Sequence, residues 1–173
     1  LIDFLPQGTV IDGEVLAWDH GATGGRPLPF ADLQKRIGRK TVPRKLLAEA
    51  PVILMAYDLL EAEGRDFRAA PLADRRARLE AMALPVPDDA PLRLSPEAAF
   101  TDWAALAGVR AAARDTGAEG LMLKRRSSAY GAGRRKGDWW KWKVDPMTVD
   151  AVMIYAQAGH GRRANLFTDY TFA

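Results

Sequence analysis

Cysteine is absent from the 173 residues, which excludes disulfides and thiolate metal sites and fits a reducing, cytoplasmic setting. No apolar run approaches the roughly 20 residues that a membrane-spanning helix needs, and no signal peptide opens the chain. The expectation is therefore a protein with no membrane partner. An initiating methionine is missing too. The chain opens on Leu1 and closes at Ala173 inside a strand-like pattern, and the reading is a piece of a longer protein. Charge of neither sign dominates: the formal net charge is +3, with a sequence pI of about 9.3. The cations are nevertheless clumped, at Lys35, Arg36, Arg39, Lys40, Arg44 and Lys45, at Lys124 to Arg126, and at Arg134 to Lys136. Such clumps are either solvated faces or the footprint of nucleic acid.

With 48% apolar residues, the chain can build the core of one ordinary domain, or of one domain plus part of another. Thr9 to Trp18 (TVIDGEVLAW) reads as a strand, with Asp12 and Glu14 on one face and Gly13 permitting close backbone approach. A Gly/Pro loop, His20 to Pro29, precedes a helical spacing of Phe30, Leu33 and Ile37 that stops at Gly38. A short helix is expected over residues 43–50, with Leu46 and Leu47 inward. Val52 to Leu60 (VILMAYDLL) is apolar enough to be buried on both faces. From the residues alone, Tyr57 within it is a core aromatic. Pro71 suits a helix start, with Leu72, Arg76, Leu79 and Met82 following. A short strand over 92–96 leads to a helix carrying Trp103, Leu106, Ala107 and Ala111, with Thr101 as N-cap and Gly117 as stop.

The most informative stretch is Glu119 to Lys143, EGLMLKRRSSAYGAGRRKGDWWKWK. Residues i and i+2 of a strand share a face, so Trp139, Lys141 and Lys143 face one way and Trp140, Trp142 and Val144 the other. Two ammonium groups held side by side call for an anion between them, and a phosphate is the natural candidate. Glu119 is a candidate ligand for magnesium, which prefers oxygen donors and is commonly held by one or two carboxylates plus phosphates. Lys124 has the opposite strand parity to Glu119 and is expected to face away from it. The loop 125–138, with Tyr130, Gly131, Gly133 and five cations, is either a mobile surface loop or a phosphate-contacting one. After Pro146, Thr148 to Gln157 and Arg162 to Phe172 read as paired strands about a turn at Gly159-His160-Gly161.

EGLMLK followed by WWKWK resembles motifs IV and V of the ATP-dependent DNA ligases, members of the covalent nucleotidyltransferase superfamily. Other stretches are similar to the same family. They are DGE at 12–14 (motif III), FADLQKR from Phe30, YDLL from Tyr57 (motif IIIa), and the run G-x-D-x-R-x-x-PL-x-x-RR-x-x-L from Gly64. The GHGRR and DYTF patterns resemble bacterial members.

The resemblance implies an α+β fold. Residues 1–146 would form a partial adenylation domain of antiparallel sheets flanked by helices, and 147–173 the first strands of a truncated OB-fold. It implies an enzyme that seals nicks in duplex DNA through enzyme-AMP and DNA-adenylate intermediates, using ATP and Mg2+. Such an enzyme would be monomeric when intact, bacterial, cytoplasmic and nucleoid-associated at work. It assigns Lys141 and Lys143 to the α-phosphate, Glu14 and Glu119 to ribose and metal, and Tyr57 to stacking on the adenine. Lys35, Arg36, Arg39, Arg134 and Arg135 are the implied DNA contacts.

Two family features are missing, the final RxDK-like motif at the end of the OB-fold domain and the KxDG motif. The nucleophilic lysine belongs in a KxDG motif ahead of motif III, yet none of the seven lysines is followed by x-Asp-Gly. The chain taken literally is thus expected to be inactive in self-adenylylation. A non-catalytic nucleic-acid-binding remnant, or an RNA ligase or capping-type nucleotidyltransferase, is the alternative.

Overall fold

The computed structural model describes residues 3–21, 24–133 and 135–173. Its largest sheet is ordered β2-β1-β3-β4, from strands β1 (Val10–Asp19), β2 (Arg26–Pro27), β3 (Val52–Ala62) and β4 (Arg65–Asp66), with β5 (Leu92–Leu94) also on β3. All pairs are antiparallel except β3 with β5, a parallel exception to the expected antiparallel sheets. Helices α1 (Phe30–Gln34) and α2 (Arg44–Glu49) lie between β2 and β3, and α3 (Leu72–Ala83) between β4 and β5. Helix α4 (Trp103–Ala111) continues as a 3-10 turn over Ala112–Thr116. Two hairpins follow: β6 (Gly120–Lys124) with β7 (Trp139–Lys143), and β8 (Met153–Ala158) with β9 (Phe167–Phe172).

β3 is central because its sequence is apolar on both faces. Ala56, Leu59 and Ala62 pack with Leu79 of α3 and Leu92 of β5 to form the core. Buried polar groups need partners, and β3 carries one inward at Asp58. The α3 residue Arg75 answers it with a two-pronged ion pair, Nε to Oδ1 at 2.7 Å and Nη2 to Oδ2 at 2.8 Å, both side chains fully buried. Its remaining guanidinium nitrogen donates to the carbonyls of Ala70 (2.6 Å) and Ser128 (3.0 Å).

The long run from Gly64 to Leu79 is thus structural at nearly every fixed position. Gly64 takes a left-handed φ of 75° in the turn. Asp66 caps the Arg68 amide, Pro71 precedes the first helical residue, and Leu72 and Leu79 are buried.

Helix α3 has no side-chain cap. Its first amides are satisfied instead by the segment after β6: Leu72 N–H donates to Ser128 O (2.8 Å) and Ala73 N–H to Arg126 O (2.9 Å). Tyr130 N–H donates to Arg68 O at 2.7 Å. Residues 125–130 are therefore docked, not the mobile surface loop that their composition allows.

Other expectations are corrected. The cap of α4 is Asp102, whose carboxylate accepts from Ala105 N–H at 2.8 Å, not Thr101. Phe30, Ile37, Leu47 and Trp103 are exposed where the helical spacing places them inward. Helices α1 and α2, five and six residues long, are too short for a periodic stripe to find a buried side, Ile37 lies beyond the end of α1, and Trp103 is the first residue of α4. The strand expected over 148–157 is confined to β8, and its partner to β9, with a short 3-10 turn at Gly161–Arg163.

Candidate functional site

In the β6–β7 hairpin Lys124 pairs with Trp139, Met122 with Lys141, and Gly120 with Lys143. Directly paired residues share a face, so Met122, Lys124, Trp139, Lys141 and Lys143 form one surface. The opposite surface is less buried than expected. Trp142 packs edge-on against Trp103 with ring centroids 6.3 Å apart, while Trp140 is exposed.

Glu119 precedes the hairpin, and its Oε2 lies 2.6 Å from Lys143 Nζ. The bond to Lys143 holds the Glu119 carboxyl below the usual range, and the charge of Lys141 adds to the effect. Counting parity from Glu119 therefore fails, because Gly120 sits at φ 136° and breaks the alternation. A Cβ at Gly120 would stand 2.3 Å from Trp142 O and 2.7 Å from Lys143 Cα. Gly120→Ala is accordingly expected to destabilise by about 1–3 kcal/mol and to disturb the tryptophan near-UV circular dichroism of this hairpin. A variant with unchanged stability and spectrum would contradict this geometry.

The large sheet supplies the facing groups. The β1–β3 register shifts between Asp12 (opposite Asp58) and Gly13 (opposite Ala56), leaving Tyr57 unpaired between them. A bulge of this kind re-aims a side chain. Gly13 permits it, since a Cβ there would lie 2.8 Å from Met55 O. Tyr57 is half-buried, not a core aromatic, and its hydroxyl donates to Asp12 Oδ1 at 3.0 Å. The Tyr130 hydroxyl donates to Asp12 Oδ2 at 2.7 Å. Burial, then the Asp12 charge, pushes the Tyr57 phenol upward in pKa. The bond to Asp12, with burial second, pushes Tyr130 up to about 12.

Lys124 occupies the space between the sheets. Its Nζ lies 4.3 Å from the Tyr57 ring centroid and 4.0 Å from that of Trp139, a double cation–π arrangement. Burial pulls its pKa down, opposed by Asp58 and Asp12. Trp139 in turn meets Tyr130 edge-on at 5.7 Å.

Lys141 and Lys143, with Glu119 beside Lys143, share the hairpin face that carries Lys124 and Trp139, and Lys124 links that face to the Tyr57 ring; sequence reasoning left Asp12, Lys124, Tyr130 and Trp139 without a role. Glu14 is exposed on β1, close enough for its charge to act on Tyr57. Among the described residues no three acidic or histidine side chains cluster as a metal cage. The expected DNA contacts divide. Arg36 donates to Ala50 O at 2.7 Å, Lys35 pairs with Asp32 at 2.5 Å, and Arg39 donates to Lys35 O at 2.6 Å. Arg135 is exposed, its stem running against Gly131, and Arg134 lies outside the described residues.

Residues 2–143 match the family model described as an ATP dependent DNA ligase domain. A "Probable DNA ligase" of Koribacter versatilis is 36% identical over 95% of this chain and 31% of its own length. A "DNA ligase" of Haloferax volcanii is 41% identical over 90% of this chain and 25% of its own. The chain therefore spans a third or less of these relatives. A solved structure, "mycobacterial DNA ligase D complexed with ATP and MES", is 34% identical with a TM-score of 0.54, covering 78% of this chain and 38% of that one. Similarity to haloarchaeal ligases removes the expected restriction to bacterial members. The chain belongs to the ATP-dependent DNA ligase domain family.

Proposed function

We propose that this chain is the nucleotide-holding part of an ATP-dependent DNA ligase that seals nicks in duplex DNA. Residues 1–146 would belong to the adenylation domain, and 147–173 would open an OB-fold. The observation that carries the reading is that Lys141 and Lys143, beside Glu119, lie on the hairpin face whose Lys124 sits over the half-buried ring of Tyr57.

Each group has a task set by its chemistry. Lys141 and Lys143 offset the charge that gathers on α-phosphate oxygens. The Tyr57 ring offers a face for adenine. Glu14 and Glu119 are exposed carboxylates, and a hard, oxygen-seeking ion such as Mg2+ fits one or both together with phosphate oxygens. Such an ion, when bound, supplies further neutralisation of the phosphates. Lys35, Arg36, Arg39, Arg134 and Arg135 are the proposed contacts to DNA phosphates, Arg36 also donating to Ala50 O. No lysine of this chain is followed by x-Asp-Gly, so the covalent step is assigned to none of its residues.

Tyr57→Ala is expected to weaken ATP binding by about 1–3 kcal/mol, the worth of a base–aromatic stack. Tyr57→Phe should lose less, because the ring remains. Equal losses in a calorimetric titration would assign the role to the hydroxyl and remove the stacking reading. The missing x-Asp-Gly favours one other reading, a non-catalytic nucleic-acid-binding module. An AMP adduct in the intact mass of the full-length parent protein after incubation with ATP and magnesium would eliminate it.

A further inference from the structure

We infer that Asp12 and Tyr130 are positioning residues of the nucleotide site, fixing the plane of the Tyr57 ring before any base arrives. The inference rests on the stacking role proposed for Tyr57. It adds two residues that neither charge pattern nor motif spacing marks for that task.

Asp12 spends one oxygen on each phenol, Tyr57 at 3.0 Å and Tyr130 at 2.7 Å. Carboxylate–phenol bonds are charge-assisted and stronger than neutral ones. The two phenols do not play equal parts. Tyr130 is held by the protein's own backbone and core. Its amide donates to Arg68 O, its segment is tied to the start of α3 through Ser128 O and Arg126 O, and Arg75 lies 5.8 Å from its ring centroid. Its hydroxyl is therefore a fixed post. It anchors the Asp12 carboxylate, and Asp12 anchors the Tyr57 hydroxyl.

Tyr57 has no comparable support. It stands at a register shift, half-buried, with the Lys124 ammonium over its ring. Left alone, its ring would have to be immobilised on binding, at a cost of about 0.5–1.5 kcal/mol. The Asp12 bond removes most of that cost beforehand. Raised phenol pKa values for both tyrosines accord with a shared carboxylate partner.

The test is a double-mutant cycle on ATP binding, with a direct optical readout. Asp12→Ala should weaken ATP binding roughly 2- to 12-fold, the same cost expressed as an affinity ratio. Asp12→Asn, which keeps an acceptor, should restore most of it. In a Tyr57→Phe background Asp12→Ala should have almost no further effect, because the bond it breaks is already gone. Asp12→Asn should also lower the pH at which two tyrosines ionise, followed by absorbance near 295 nm, even where Asp12→Ala folds poorly.

An unchanged tyrosine titration overturns the inference, as does an equal loss of affinity in both backgrounds. Tyr57→Ala separates it from the reading beneath. If that variant binds ATP normally, the stacking role itself fails. If it binds weakly while Asp12→Ala binds normally, only the positioning role fails.

Discussion

Arg75→Met should lower the free energy of unfolding by about 3–5 kcal/mol, because it leaves the Asp58 carboxylate buried with no countercharge. Few single substitutions in this chain should cost as much, and against an ordinary domain stability of about 5–15 kcal/mol it removes a large fraction. The loss has two sources. Asp58 loses both short bonds, and the carbonyls of Ala70 and Ser128 lose a donor in the interior. Urea denaturation of Arg75→Met beside Asp58→Asn/Arg75→Met separates them. The double variant should recover part of the loss, since its buried side chain is uncharged. A single variant within about 1 kcal/mol of wild type would mean that the pair is solvated in solution, contrary to its burial here.

Replacing both Lys141 and Lys143 by methionine should cut ATP affinity at least about tenfold, since hydrogen bonds from charged donors are worth about 1.5–3 kcal/mol each. Methionine keeps the length of the stem, so lost packing contributes little. Lys143→Met also leaves Glu119 without its partner at 2.6 Å, and the carboxyl should then titrate closer to the ordinary glutamate range. By the sign of that shift, the pair strengthens the fold at pH above the ordinary range. Its contribution fades as pH falls through the lowered value. Calorimetry with ATP reads the first effect, and carboxyl NMR of Glu119 reads the second. Unaltered ATP affinity in the double variant would remove these lysines from the phosphate site.

Individual strands were legible wherever a local rule dominates, but their order in the large sheet was not. β-branched content marked β1, continuous apolarity marked β3, and alternation in WWKWK put Lys141 and Lys143 together. Residues that act through distant partners were not legible. Lys124 looked misdirected because parity assumes regular backbone, and Gly120 departs from it. Asp12 was given no role of its own because its partners are Tyr57 and Tyr130, 45 and 118 positions away. Arg75 was singled out by no local rule either. Only the burial of Asp58, a polar residue inside an apolar strand, distinguishes it.

The two halves of the site also differ in how soon they can form. β6 and β7 are close in sequence, and β1, β3 and β5 lie within residues 10–94, so each can assemble from moderately local contacts. The bond between Asp12 and Tyr130 closes a loop of 118 residues. Distant closure carries the larger entropic penalty and is slow, because nothing repays it until the ends have met. The sheets should therefore appear first in refolding and the union of Asp12, Tyr57 and Tyr130 last, so that a folding chain would gain its strands well before its capacity to hold a nucleotide.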